Sequence, residues 1–485
     1  MTIRTALPTT GRVMHARILA LALAAGLLVA CNDVNAPNLN SPSQNDYATI
    51  TDRGQVQNLV TGIIAGDRGT IGGEITFGEI MGRDLYELTS AEPRYVTNLL
   101  GPVGTGIDPS GFIGRGVWPY GTIKLTEIGL AGVAAAGPGV LSDAEKSATE
   151  GVIQTLKALE YMRVVEMRDT AGAPISLDTG GVVAPPVHCK PDILNLIAAV
   201  LDSGAAELAA GGSSFPFELP AGFADFSTPQ TFLTFNRGLA AKADIYRAYI
   251  NYAANKSIDQ VALDSALVEV NASYLNATDP TKLNIGPAHT YSTSTGDALN
   301  GLFADSSSTT ERANPRVVTE ADPGDKRVAR DVAVSSVMTG GQASGAPVSS
   351  PYIYLVYSSP TTPQPILPNK ELILMKAEIL WGQGQLPQAL ALSNFVRVND
   401  GGLSPVSISD PDSLLTEILK QKRYSLLYLS ADRWIDARMF GRLDGEPPAG
   451  IGLERGFQPI TNIPIPSTEV DAHGGKIDLV CTTAS

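Results

Sequence analysis

The sequence is poor in the residues that most often carry chemistry. Among 485 residues there are three cysteines and four histidines. Their scatter excludes a Cys/His zinc scaffold, so no metal site is expected. His15 falls in the N-terminal thirty residues, and His188, His289 and His473 are not paired at i+3 or i+4. No Ser-His-Asp arrangement is visible. His188 stands beside Cys189, which matches neither a ligand spacing nor a nucleophile motif. We therefore expect no cofactor and no catalytic residue. Aromatic residues make up 6%, with three Trp, so stacking surfaces must be few. Basic residues are outnumbered 35 to 49, and the formal charge of −14 argues against nucleic acid, because phosphate binding needs a basic surface. After residue 30 no stretch reaches eighteen uninterrupted apolar residues, the length a spanning helix needs.

What is present starts at the N-terminus. Arg4, Arg12 and Arg17 precede an apolar run of thirteen residues, Ile18–Ala30. That run has signal-peptide proportions. It ends Leu28-Val29-Ala30-Cys31, which looks like a bacterial lipobox with Cys31 as the lipidated first mature residue; the alternative is an ordinary secretory signal with a chance Cys. Residues 1–30 are read as the signal, and 31–45, with Pro37 and Pro42, as a polar tether. The protein is then anchored to a membrane by lipid rather than spanning it. Asn32 is not the Asp that retains many lipoproteins at the inner membrane, so the outer membrane is expected. Loss of the signal leaves 32 basic and 49 acidic residues, a balance of −17.

The rest, 46–485, reads as one mainly α-helical domain. Ser142 with Glu145 is a capping box, and Val152, Leu156, Leu159 and Met162 follow on one helical side. Pro191 suits a first helical position before Ile193, Ile197, Val200, Gly204 and Leu208. Phe232, Phe235, Leu239, Ala243, Tyr246 and Ile250 form a third stripe. Ser257 with Gln260 is a second capping box, which makes 230–276 an αα-hairpin. Another pair lies at 369–398, linked through Gly382-Gln383-Gly384-Gln385; its Ala-Glu-Ile-Leu segment resembles a tetratricopeptide-type unit. Asp410 as N-cap and Pro411 at N1 open the last long helix, with Leu414, Leu415, Ile418, Leu419, Leu426 and Leu429. Of the 48 Gly and 33 Pro, 17 and 13 fall in loop-like stretches at 101–116, 279–351 and 443–466. Few short strands are expected, one at 352–357.

The C-terminal third, about 351–485, carries a further pattern. Ala377-Glu378-Ile379 precedes Gly384, then Asn394-Phe395-Val396-Arg397 and Gly402-Leu403. Arg433, Trp434, Asp436 and Arg438 form an Arg-Trp-x-Asp-x-Arg stretch followed by Gly441, and Pro464-Ile465-Pro466 comes near the end. Trp118-Pro119-Tyr120 with Ile123 lies far upstream in matching order. This series resembles the RagB/SusD family of outer-membrane nutrient-uptake lipoproteins. Gln421-Lys422 and Leu429-Ser430-Ala431-Asp432, with one extra residue, stand where that family usually has Glu-Arg and Glu-Gly, so the resemblance is to a divergent member. It implies tetratricopeptide-like helix pairs with large irregular insertions. It also implies a binding role: a nutrient, often a glycan or oligosaccharide, is captured at the cell surface and passed to a SusC-like TonB-dependent transporter, without catalysis. The low aromatic content keeps a peptide as an alternative ligand.

Individual residues remain open in their roles. Asp432 and Asp436 are i,i+4 and flanked by Arg433 and Arg438; a shared proton and a structural ion-pair network are the two readings. Trp434 reads as structural, Trp118 as the start of a helix, Trp381 as core or surface. Tyr352, Tyr354 and Tyr357 form the best aromatic cluster for a ligand, or else a short buried strand. Cys189 and Cys481 are either free thiols or a disulfide, which would close a loop of about 290 residues worth about 5–6 kcal/mol on the chain-entropy model. Competing functions are a lipid-anchored hydrolase, which needs a site such as two carboxylates across a sugar-sized cleft, and a tetratricopeptide-like scaffold that binds only protein. A two-lobed α/β solute-binding protein is disfavoured because strand–helix alternation is absent.

Overall fold

Helix-forming pattern becomes helix through most of the chain. In the computed structural model, residues 44–101, 106–111, 118–177, 184–305, 309–340, 347–448, 450–454 and 457–482 are described. The signal, Cys31 and the tether to residue 43 lie outside them, as do parts of the glycine-rich 101–116 stretch. The first long helix, α1 (Arg53–Met81), is capped by Asp52, whose carboxylate accepts from the Gln55 N–H. It was not legible in the sequence, because seven glycines interrupt its apolar period. The helices α2 (Tyr120–Ala135), α3 (Asp143–Arg168), α4 (Lys190–Ala210), α5 (Pro229–Ala248) and α6 (Gln260–Ala272) follow. After a long insertion come α7 (Asn369–Gly382), α8 (Leu386–Asn399), α9 (Pro411–Ser425) and α10 (Asp432–Met439). Successive helices pack on one another: α2 on α3, α3 on α4, α4 on α5, α5 on α6, α7 on α8, α8 on α9 and α9 on α10. The fold is mainly α, built of tetratricopeptide-like pairs, and the span Tyr47–Ser485 is one compact unit.

The caps follow the sequence in part. The Ser142–Glu145 box forms, with Glu145 Oε2 accepting the Ser142 N–H at 2.9 Å. Asp410 caps α9 through the Ser413 N–H at 2.8 Å, with Pro411 as the first helical residue. Two expectations are corrected. Helix α4 begins at Lys190, with Cys189 in the N-cap position, so Pro191 is its second residue, not its first. The Ser257–Gln260 box does not form: Asp259, closer to the helix start, accepts from Val261 N–H at 2.9 Å and Ala262 N–H at 3.2 Å. The last long helix also stops earlier than its leucines suggest, at Ser425, and Tyr428 (φ +58°) turns the chain into α10.

The insertion read as loop supplies a sheet. Strands β1 (Leu85–Glu87), β2 (Glu311–Ala313), β3 (Val332–Gly340) and β4 (Val348–Tyr354) lie in the order β1-β2-β4-β3, all antiparallel. Register pairs include Leu85 with Ala313 and Val334 with Tyr352. Strand β3 showed no alternation because it has no buried face: Val334 and Val337 are 79% and 68% exposed. The strand expected at 352–357 begins earlier and ends at Tyr354.

Helix α3 is the axis of the molecule, buried on most sides between α2, α4, α5 and α1. Where it crosses α4, a Cβ on Gly151 would lie 2.6 Å from Leu208 Cγ and 2.9 Å from the Gly204 carbonyl oxygen. Nearby the C-terminal segment is stitched down. Cys189 and Cys481 are disulfide-bonded with Cα atoms 5.2 Å apart. Val480 and Val187 are joined by an N–H to carbonyl bond of 2.9 Å, and Thr482 N–H donates to Asp192 at 2.8 Å.

Candidate ligand cleft

The Arg-Trp stretch is a structural knot. Trp434 is fully buried, and its Nε1–H donates to the Ile460 carbonyl at 2.7 Å. The Arg438 guanidinium lies over the Trp434 ring at 4.4 Å and donates to the Glu166 carbonyl at 2.8 Å. Arg433 Nε–H donates to the Gly82 carbonyl at 2.6 Å. Together they tie α10 to the C-terminal ends of α1 and α3. Asp436 pairs with Lys422 at 2.9 Å and Asp432 with Lys242 at 3.1 Å. Each carboxylate thus takes its own lysine, which is the ion-pair network rather than an acid–base pair.

That network runs deep. Lys242 also meets Glu371 at 3.0 Å and Glu166 at 3.4 Å; Lys422 meets Glu378 at 3.2 Å; Arg163 meets Asp67 and, at 2.7 Å, Glu74. Carboxyls outnumber bases here, and burial penalises each charge. Burial pushes Glu74 and Glu371 up to about 8 each; Arg163 and Lys242 respectively oppose the rise. Burial drives Asp436 well above the usual range as well. Burial also acts to raise Asp432, but Lys242 and Lys422 outweigh it and hold it low.

The tyrosine cluster is not a ligand platform. Tyr354 and Tyr357 are 8% and 4% exposed, and both rings pack on Tyr428, with centroids 4.6 and 5.8 Å away. Tyr354 O–H donates to the Asp84 carbonyl at 2.6 Å. Rings enclosed in this way offer no face to a sugar. Tyr352 is half-buried in β4. Trp381 is core, its Nε1–H on the Pro411 carbonyl at 2.8 Å, and half-buried Trp118 lies under the Arg168 guanidinium at 4.4 Å.

The cleft lies one layer outward from these tyrosines. Its floor is the glycine-rich middle of α1, where Gly69, Gly72 and Gly73 leave a helix surface without side chains. Its walls come from Tyr95, the Tyr291–Leu302 loop, Glu311 on β2 and Gln364. The space is about 1210 Å³ counting its open mouth. Tyr291 and Tyr95 are half-buried and present ring surface to it. The Tyr291 O–H donates to Gln364 Oε1 at 3.1 Å, and the Arg68 guanidinium sits 5.6 Å from the Tyr291 ring centre. Arg68 is itself pinned by Asp297 at 2.8 Å and the Thr290 carbonyl at 2.9 Å. Gln364 is fully buried, and its Nε2 has no hydrogen-bond partner among the described residues. A buried donor left unpaired costs about 1–3 kcal/mol unless a guest accepts from it. Glu311 accepts from Tyr428 O–H at 2.7 Å; burial, opposed by that hydrogen bond, pushes its carboxyl up to about 7.

Such a cleft can hold a neutral, hydroxyl-rich or amide-rich chain: flat rings, a planar amide donor and a carboxyl, with no concentration of one charge. Its parts were missed in the sequence because they come from positions 65–77, 95, 291–302, 311 and 364. The one local signal was the Gly-Thr-Ile-Gly-Gly run at 69–73, since each glycine costs a helix about 1 kcal/mol against Ala and needs a reason to be there. The two histidines with side-chain hydrogen bonds both face aspartates, His289 to Asp67 at 2.6 Å and His188 to Asp192 at 3.5 Å. Among the described residues no group of three or more His, Cys, Asp or Glu is placed to hold a metal.

No protein-family model matches this chain, and no curated protein sequence matches it. Solved structures do. A SusD superfamily protein from Parabacteroides distasonis is 14% identical, with a TM-score of 0.64 over 88% of this chain and 98% of that one. A SusD superfamily protein from Bacteroides fragilis is 16% identical, with a TM-score of 0.62 over 89% of this chain and 96% of that one. A SusD-like carbohydrate binding protein from Bacteroides vulgatus is 14% identical, with a TM-score of 0.55 over 81% of this chain and 84% of that one. The chain has the fold of the SusD superfamily.

Proposed function

We propose that this protein is a divergent SusD/RagB-type lipoprotein that binds a nutrient oligomer and hands it to a SusC-like TonB-dependent outer-membrane transporter. It is lipidated at Cys31, sits on the outer membrane and faces the cell exterior. It performs no chemistry on its ligand. The observation that carries the reading is the α1 cleft, where half-buried tyrosine rings and the Gln364 amide, unpaired among the described residues, suit a glycan better than a charged ligand. An oligopeptide offers carbonyls to the same amide and is the competing occupant.

Calorimetric titration with a panel of neutral oligosaccharides and oligopeptides tests the cleft. We expect saturable binding of an oligosaccharide, weakened about tenfold or more in Tyr291→Ala, as loss of one stacking face and its hydrogen bond implies. Binding that ignores the substitution would place the ligand elsewhere, and turnover of the sugar would favour a hydrolase. Co-purification from outer membranes tests the partner: the barrel must come with the wild type in at least one mild detergent. Protease shaving of intact cells and loss of membrane retention in Cys31→Ser test the location and the anchor.

A further inference from the structure

A second concave site lies away from the cleft, between α9, α10 and the residues Pro447, Pro448, Gly450 and Ile451. It encloses about 650 Å³ counting its mouth. Arg423, Arg433 and Arg442 face it, against a protein whose formal charge is −14. The carboxylates nearby are shared or lie at a distance: burial lowers the pKa of the Arg442 guanidinium, and Asp412, in the adjoining groove, opposes that. Arg423 pairs with Asp84 at 2.6 Å and Glu320 at 2.7 Å. Arg433 leans on the same two at 3.4 and 4.0 Å, and Arg316 also claims Glu320 at 3.4 Å. Asp436 is at the wall but is taken by Lys422. Lys420 at the rim is bound to Asp322. Arg442 donates to Thr416 Oγ1 at 2.8 Å, and its electrostatic neighbour is Asp412 rather than a carboxylate in hydrogen-bonded contact. The crowding shows in Arg433, which burial and the Arg423 charge pull down to about 10. The rest of the wall is apolar: Leu419, Ala437, Ile451, Pro447 and Pro448. A wider groove of about 1190 Å³ opens beside it and shares Thr416, Arg442 and Pro448.

We propose that this pocket binds a carboxylate carried on an apolar body, with the carboxylate on the Arg442 and Arg433 guanidiniums and the body against Leu419, Ile451 and the two prolines. A guanidinium holds a carboxylate through two parallel hydrogen bonds, which a point charge cannot reproduce. The apolar wall disfavours an ion that is charged all round, such as phosphate. The source is either a free small acid or the C-terminus of a peptide lying along the adjoining groove; both present the same chemistry. The inference stands without the cleft reading, since the two sites share no lining residue.

The test is calorimetric titration of the full-length protein in detergent. The probes are 4-phenylbutyrate, 4-phenylbutyramide, inorganic phosphate, and Gly-Gly-Phe with a free or an amidated C-terminus. We expect 4-phenylbutyrate to bind at least about tenfold more tightly than its amide, as loss of a charge-assisted hydrogen-bond pair implies. We expect Arg442→Gln to remove that difference and Arg442→Lys to restore only part of it. The wild-type comparison of acid with amide needs no variant to fold. Tighter binding of free-acid Gly-Gly-Phe assigns a peptide terminus, and tighter binding of 4-phenylbutyrate assigns a small acid. No saturable binding of either acid, equal binding of acid and amide, or phosphate binding as tight as the acids would overturn the proposal.

Discussion

Glu74 shows how far a single residue here departs from its usual chemistry. It sits on α1 against Arg163 and Glu166, and burial raises its carboxyl to about 8. Glu371 on α7 is raised to about 8 in the same way. The sign of the linkage follows. A carboxyl whose folded-state value lies above its unfolded one contributes stability that is complete below the unfolded value and is lost as pH rises through the folded value. Stability should therefore fall as pH rises from about 5 to about 9. Urea midpoints across that range should show the fall in the wild type and a shallower fall in Glu74→Gln, whose amide cannot ionise. An equally steep variant would show that Glu74 is ionised throughout. None of this was legible locally: Glu74 stands in a Gly-Gly-Glu-Ile run like many exposed glutamates. Trp434 was legible as a structural residue, because it stands inside the helical Arg433–Arg438 motif.

At the scale of elements, close approach outweighs helix propensity. Alanine at position 151 would gain about 1 kcal/mol of intrinsic helix preference. It would also press on Leu208 and on the Gly204 carbonyl, and two of the close atoms are backbone that cannot rotate away. Overpacking of that kind costs about 1–3 kcal/mol. Gly151→Ala should therefore lower stability by up to about 2 kcal/mol in urea unfolding, and a stabilised variant would mean that α3 and α4 are further apart. The start of α6 separates two readings in the same way. Asp259→Ala should cost about 1 kcal/mol, as loss of an N-cap does. Ser257→Ala should change stability by less than about 0.5 kcal/mol. The sequence pattern favoured Ser257 because Ser-x-x-Gln fits a capping box; the competing Asp two residues later offers a charged acceptor to two N–H groups, and it wins.

Over the whole molecule, the chain ends up bound to itself across long distances. The Cys189–Cys481 bond joins positions 292 apart and fastens the C-terminal segment to the start of α4. Peptide mapping without reductant should recover the two cysteines in one cross-linked fragment. Paired Cys189→Ser and Cys481→Ser substitutions should lower the midpoint of thermal unfolding, by an amount set by about 2–5 kcal/mol of lost stability. Recovery of both thiols free would remove this tie. The cleft is assembled over comparable distances, from α1, β2 and the loops at 291–302 and 364. What the sequence by itself determined is local: helix periodicity, the Ser142, Asp410 and Pro411 signals, and the Arg433–Arg438 stretch. These depend on residues three or four positions apart, which a helix brings together without help. The tertiary structure alone decided that Tyr354 and Tyr357 are enclosed, that α1 is a helix despite seven glycines, and that α1 carries a cleft. Those outcomes rest on which distant surfaces meet and exclude water, and burial between distant segments leaves no period in the sequence to read.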